Sequence, residues 1–413
     1  MKMKGRKAPG LGSNSRYSSL SLFLSFSLCF FLLACGGGKR PPAPVRTGGG
    51  GVPSLPTPDR SPVRVDQAPG IRVLLKASFG SAALEGSDLP SLQRIQAEGG
   101  KITLRDGRGL VLRSGSGFRL QPLRGSMLRL DGVPYQGVIE VFVNPLGTPV
   151  IVNELSLETY LQGVIPNELS STGGVQLEAL KALTIAARSF AFYSLGQNAR
   201  RGFDVYSDNR SQVYRGTSSQ QPLSNQAIDQ TRGTIATYQN KPIVAFYSST
   251  CGGLTEGYQA AFQGAHIPYL EGGAACPDSA SPNSTWEEHI QVSRIQKNLD
   301  RLAGVGRLRK LVSLRKGQWG RTVEMRFVGD RGEKVLKGLD IRSALGLKSI
   351  WILALEPHHD NSGYIVEIHA RGRGWGHGVG LCQTGTVELA RQGWSFERIL
   401  KHYYKGIDLT RRW

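Results

Sequence analysis

The stretch Tyr160–Tyr193, YLQGVIPNELSSTGGVQLEALKALTIAARSFAFY, decides how this chain is read. It sets a single carboxylate, Glu168, in a turn punctuated by Pro166, Gly173 and Gly174, and a helical pattern follows at once. Leu177, Leu180, Leu183, Thr184 and Ala187 recur at spacings of three and four, which predicts a helix with one apolar stripe. Glu178, Lys181, Ile185 and Arg188 fall on another face, where that spacing lets Lys181 and Arg188 point the same way. Ala179, Ala182, Ala186, Ala187 and Ala191 favour helix and allow another backbone to approach closely. A turn that presents one acid beside a central helix is how a general acid would be placed. The same residues also permit a plainer reading, with Glu178 and Lys181 as a surface pair, Arg188 covering apolar surface with its stem, and Glu168 a solvated loop acid.

Outward from this stretch, 413 residues are enough for two or three domains and a sizeable core. The net charge is +20, and five of the basic residues (Lys2, Lys4, Arg6, Lys7 and Arg16) precede Cys35 with no acid among them. The charge that remains suits a polyanionic partner. Nothing in the chain has the spacing of a zinc finger, a basic reading helix or an aromatic RNA-binding motif, so no nucleic-acid partner is expected. Anionic lipid or an anionic wall polymer fits instead.

The N-terminus has a basic start and an apolar run, Leu20 to Ala34, closing in Leu32-Leu33-Ala34-Cys35. This is the pattern of a secretion signal, and a run of about 15 is short against the roughly 20 residues of a spanning helix. Its ending resembles a bacterial lipobox, which implies cleavage before Cys35 and a lipid on its sulfur. Residues 1–35 are therefore read as a lipoprotein signal peptide, and the exported protein as membrane-anchored through that lipid. Residues 36–70 hold eight prolines among glycines and scattered charges, so they cannot bury a core and read as a tether.

Short alternating runs from Ile71 to Val152, with Asp106-Gly107 and Asp131-Gly132 as hairpin signals, predict an antiparallel β module at 71–152. It flows without a linker into a second domain, 153–409, which holds a β-rich insertion at about 277–365. The expected class is α+β: an antiparallel β-rich scaffold, a central buried helix and a short C-terminal helical pair. Of the five cysteines, Cys29 leaves with the signal and Cys35 takes the lipid. The remaining three suggest a Cys251–Cys276 disulfide with Cys382 buried and free. There is no Cys-x-x-Cys or paired-His spacing, so no metal and no cofactor is expected, with zinc in place of the disulfide as the alternative.

Three further segments carry candidate site residues. In FDVYSDNRSQVYRG, Asp208, Gln212 and Tyr214 put an acid, an amide and an aromatic ring on one loop, as sugar sites do, although an ordinary polar loop looks the same. Two strand-like runs separated by a turn lead into Ser248-Ser249-Thr250-Cys251-Gly252-Gly253 and Thr255, where two glycines after small hydroxyl residues suggest a close backbone approach. In RGWGHGVGLCQTG, glycines flank His377, and Gln383 precedes a helix.

Taken together, the Glu-Leu turn, EALKALTIAARSFAFY, FYSSTCGGLTEG and GHGVGLCQTGTVELARQG with ILKHYYKG resemble, over roughly Ile71 to Leu409, the stage II sporulation protein D (SpoIID/LytB) family. The resemblance implies a peptidoglycan lytic transglycosylase or an enhancer of wall amidases. The partners it implies are glycan strands, in sporulation members lacking stem peptides, and for enhancers a cell-wall amidase. The family's acid in its Glu-Met-Pro turn matches Glu168. Its Leu-Lys-Ala-Gln…Ala-Ala-Arg helix maps onto Lys181 and Arg188, with Leu183 where Gln is usual. Its His-Ser-Thr-Ser-Gly-Gly segment maps onto Tyr247 to Gly253, with Tyr247 in place of the His.

Overall fold

A computed structural model of the protein describes residues 67–86, 92–122, 126–170 and 174–413, all within one compact unit. The signal, Cys35 and nearly all of the 36–70 tether lie outside the described residues. No helix among the described residues is long and apolar enough to cross a membrane. The class is α+β, with largely antiparallel sheets and packed helices.

Alternating side chains build the N-terminal sheets. In Gly70–Ala77, GIRVLLKA, Ile71 and Val73 are buried while Gly70 is exposed. This strand pairs antiparallel with Pro149–Ser156 and parallel with the short strand Val205–Tyr206, in a five-stranded sheet. A six-stranded sheet follows from the hairpins between 81 and 135. At the Asp131-Gly132 turn both residues have positive φ, 48° and 80°, which is the two-residue hairpin geometry that Asp-Gly favours.

Pro149–Ser156 runs straight into the helix Leu157–Gln162, where the Ser156 hydroxyl accepts from the Thr159 amide at 3.2 Å and caps it. At Gly163 the chain turns against its neighbours so tightly that a Cβ would sit 2.5 Å from the Gly216 carbonyl. The four-residue helix Ile165–Glu168 begins there with Pro166 in its first turn, where the missing N–H costs nothing, and ends on the acid.

The central helix is Leu177–Ser194, and it is buried nearly all round rather than along one stripe. Leu180, Leu183 and Ala187 are fully buried as the pattern predicts, and so are Ile185 and Arg188 on the face read as charged. The helices Leu157–Gln162, Pro222–Gln230, Gln383–Arg391 and Phe396–Tyr403 and the strand Thr234–Tyr238 all pack on it. The alanines let them approach, and each fully buried leucine contributes about 1.5–3 kcal/mol.

Arg188 lies two turns along the same side of the helix as Lys181, but the neighbouring elements cover it completely. Its guanidinium makes a two-pronged contact with Glu158, Nε to Oε1 at 3.1 Å and Nη2 to Oε2 at 2.8 Å, and bonds Thr231, Thr234 and Ile228 as well. Lys181 stays at the edge, paired with Glu178 at 2.8 Å and lying over the Phe396 ring.

The Thr234–Tyr238 strand turns through Gln239 and Asn240, both at positive φ, but its partner Lys241–Pro242 is only two residues long. The next short strand, Tyr247–Ser248, pairs instead in parallel with Leu381–Cys382.

Residues from Thr285 to Arg373 form a β-rich wing with a hydrophobic cluster of its own, including Trp286, Leu299, Phe327, Ile341 and Ile368. One of its sheets has Ile365–Arg373 as middle strand between Thr285–Gln291 and Trp351–His359, so the wing continues past the expected limit near 365. Trp286 belongs to the wing core, whereas Trp351 lies at its edge beneath the Arg321 guanidinium.

Removing one member of a buried, hydrogen-bonded ion pair strands the other charge. Arg188→Met is expected to lose about 3–5 kcal/mol in urea unfolding. Arg188→Met with Glu158→Leu should recover part of that loss. If the single variant unfolds like wild type, the pair does not hold the helix in place.

Candidate functional site

Glu168 is delivered by the short helix into a setting made by three distant segments. Its Oε1 accepts from the Val213 amide at 2.9 Å and its Oε2 from the Gln383 side-chain amide at 3.2 Å. The Tyr247 side chain adds a third hydrogen-bonding influence. Burial pushes the carboxyl above its ordinary value, and those three partners pull only partly against it. All three are neutral.

A buried relay extends behind the acid. The Tyr160 hydroxyl donates to Gln212 Oε1 at 3.1 Å, and Gln212 Nε2 donates to the Tyr247 hydroxyl at 2.9 Å and to the Ala187 carbonyl at 3.2 Å. Since the Tyr247 oxygen already accepts from Gln212, its own proton is free to point at Glu168. The parallel pairing of Tyr247–Ser248 with Leu381–Cys382 makes this possible. It sets Tyr247 beside the strand that leads directly into Gln383, the first residue of the helix Gln383–Arg391.

Of the residues singled out from sequence, the fold gathers Glu168, Gln383 and, one bond removed, Gln212. Lys181 and Arg188 are each paired with other acids, and Arg188 is a structural cation, not a substrate ligand. Asp208 sits on an exposed turn bound to Arg210. Tyr214 is no sugar platform: it is buried against Tyr135 and Tyr160, and its hydroxyl donates to Asn153 at 2.7 Å.

The hydroxyl-and-glycine segment serves mainly to hold loops together. The Ser248 hydroxyl accepts from Gly378 N, and the Ser249 carbonyl accepts from Thr384. The buried Thr255 hydroxyl accepts from Ala274 N. Gly252, at φ 82°, passes so close to Arg373 that a Cβ would lie 2.7 Å from that residue's own, and its amide donates to Asp278. Gly253 faces open space.

His377 is not a catalytic imidazole. Its Nε2 donates to the Tyr247 carbonyl at 2.9 Å and its Nδ1 accepts from the Val379 amide at 3.0 Å, so both nitrogens are engaged. Burial, helped by Arg342, lowers its pKa to about 3 and keeps the ring neutral. It fixes the backbone that carries Tyr247.

Tyr247 is the Glu168 neighbour that the family resemblance undervalues, because standing as a substitute for the family's His it offers no reason to look at its hydroxyl. Counted back from Gly252-Gly253, the family's six-residue run begins at Ser248, so Tyr247 precedes that position. Tyr160 and the Val213 amide were also missed, since neither a core-like tyrosine nor a backbone group leaves a motif.

Two groups of side chains among the described residues have metal-ligand chemistry. They are Cys251, Cys276, Asp278 and Cys382, all buried, and Glu287, His289 and His369 on the surface of the wing. Cys251 and Cys276 are joined in a disulfide, with Cys382 a buried free thiol.

Residues 147–238, which include Glu168 and the central helix, match a family described as "Stage II sporulation protein". Residues 277–380, which span the wing, match a family described only as a domain of unknown function. The chain is 33% identical to stage II sporulation protein D of Bacillus amyloliquefaciens, over 65% of this chain and 79% of that protein. It is 31% identical to an uncharacterized protein of Brachyspira hyodysenteriae, over 73% of this chain and 76% of that one. It is also 29% identical to an amidase enhancer of Bacillus subtilis, over 76% of this chain but only 49% of that longer protein. The chain belongs to the stage II sporulation protein D family.

A carboxyl whose pKa is raised by the fold weakens the fold once it ionises. Wild-type stability should fall as pH rises through the ordinary glutamate value of 4.5 and toward the raised folded value. Glu168→Gln removes this effect. Its melting temperature should match wild type near pH 4 and exceed it increasingly toward pH 8; parallel curves would mean the carboxyl is not perturbed.

Proposed function

We propose that the protein is an exported lytic transglycosylase that cleaves peptidoglycan glycan strands without water, using Glu168 as both acid and base. The observation that carries this reading is a half-buried carboxyl held by neutral partners with its proton affinity raised. Lys181 and Arg188, the cations that would have opposed protonation, are spent on Glu178 and Glu158. A carboxyl in this state suits proton donation near neutral pH.

In this mechanism protonated Glu168 gives its proton to the glycosidic oxygen leaving muramic acid C1. The resulting carboxylate then takes the proton of the same sugar's C6 hydroxyl as that oxygen closes on C1, giving the 1,6-anhydro product. Because the nucleophile belongs to the substrate, proximity is built in and a second carboxylate is not required. The amide of Gln383, the Val213 N–H and the Tyr247 hydroxyl stabilise the carboxylate after donation and orient it for the return step. Localisation follows the same reading: a lipid on Cys35 and the 36–70 tether would hold the domain within reach of the wall.

The name of the amidase-enhancer relative favours a second reading, in which the same domain binds wall glycan and activates an amidase without cutting. Purified protein on glycan strands, with and without stem peptides, separates the two. The first reading expects soluble anhydromuramyl products by mass spectrometry, and Glu168→Gln should cut their release at least about a hundredfold, the usual contribution of a general acid. Release that is unchanged in Glu168→Gln removes the acid from the chemistry. Absence of product together with a faster added amidase supports the enhancer.

Tyr247→Phe deletes a bond that lowers the Glu168 pKa. The alkaline limb of kcat/KM should therefore move to higher pH. A shift to lower pH would contradict the role given to the phenol.

A further inference from the structure

The proposed glycan reaction leaves unused a tight cluster of reactive groups among the described residues. Cys251, Cys276, Asp278 and Cys382 are buried, and one ligand atom from each lies within 4.8 Å of all the others. They come from three segments: the Cys-Gly-Gly turn, the loop Cys276-Pro277-Asp278, and the residue that opens the helix carrying Gln383.

The distances are specific. Asp278 Oδ2 lies 3.4 Å from Cys251 Sγ and 3.6 Å from Cys382 Sγ. A tetrahedral zinc ion with Zn–S near 2.3 Å and Zn–O near 2.0 Å has sulfur-to-oxygen edges of about 3.5 Å and sulfur-to-sulfur edges of about 3.8 Å. Two edges of such a tetrahedron are thus already present, and opening the Cys251–Cys276 bond would free the sulfurs to take up the rest.

Backbone amides already point at two of the candidate ligand atoms. Cys382 Sγ accepts from the Cys251 amide at 3.3 Å and from Gly385 N at 3.4 Å. Asp278 Oδ2 accepts from Gly252 N at 2.7 Å. Such outer donors orient ligands and balance their charge. A dication with three thiolates and one carboxylate keeps two negative charges. The buried Arg321, bonded to the Cys251 and Leu254 carbonyls, supplies a neighbouring positive charge.

We propose that in the reduced protein these four side chains form a tetrahedral zinc site, and that the Cys251–Cys276 disulfide is its oxidised, metal-free alternative. Interconversion balances with an external dithiol. The dithiol gives two electrons and two protons to the protein disulfide and is itself oxidised to a disulfide; zinc then displaces the three thiol protons to solvent. The metal would clamp the Cys-Gly-Gly turn to the start of the helix whose first residue, Gln383, touches Glu168. Ligation would therefore be felt at the acid, although the site stands whether or not the glycan reaction does.

The test is a metal titration of full-length protein in detergent, reduced and stripped of metal under anaerobic conditions. Cobalt is expected to bind at one equivalent, with a near-ultraviolet thiolate charge-transfer band and tetrahedral visible bands that zinc abolishes. Air-oxidised protein should bind none. Cys382→Ser and Asp278→Asn should each weaken binding at least tenfold, with circular dichroism checking their fold. Failure of reduced wild type to bind cobalt stoichiometrically overturns the proposal without reference to any variant, and so does tight binding that survives Cys382→Ser in a folded protein.

Discussion

A carboxylate ten residues ahead of the candidate acid holds the domain together. Glu158 takes the guanidinium of Arg188, the amide of Gly233 and the indole N–H of Trp413, and so ties four separate parts of the chain to one fully buried point. The helix Leu157–Gln162 that bears it leads through Gly163 into the turn bearing Glu168. Burying two full charges is costly, and it is tolerated because every prong of the pair is hydrogen-bonded. Once the pair is in place, the acid turn cannot slide along the central helix.

That anchorage explains the contrast between the two glutamates. Glu158 is paired with a buried guanidinium, whereas Glu168, on the next turn of chain, meets only an amide N–H, a carboxamide and a phenol. The same residue type sits against a buried cation in one setting and among neutral donors in the other, and in the second burial raises its proton affinity. Arg188 takes part in this division by being committed to Glu158.

The second constraint is the two-residue parallel pairing of Tyr247–Ser248 with Leu381–Cys382. Little energy resides in so short a ladder, but it joins segments more than a hundred residues apart. His377, held neutral between the Tyr247 carbonyl and the Val379 amide, reinforces the join. On one side of the pairing Tyr247 and Gln383 converge on Glu168. On the other, Cys251, Cys382 and Asp278 converge on each other.

Much of this was legible in the residues. The period of Leu180, Leu183 and Ala187 gave the central helix, Asp131-Gly132 gave a hairpin, and the Pro-bounded turn picked out Glu168, because local geometry follows from local chemistry. What periodicity could not say is that the helix is covered on every side. That is why Arg188 read as a surface cation and Tyr214 as a sugar platform, when both belong to the interior. Sequence by itself determined the elements, the acid and the family. Only the tertiary structure decided which neutral groups surround that acid and which thiols meet, because those contacts join positions whose separation along the chain carries no period to read.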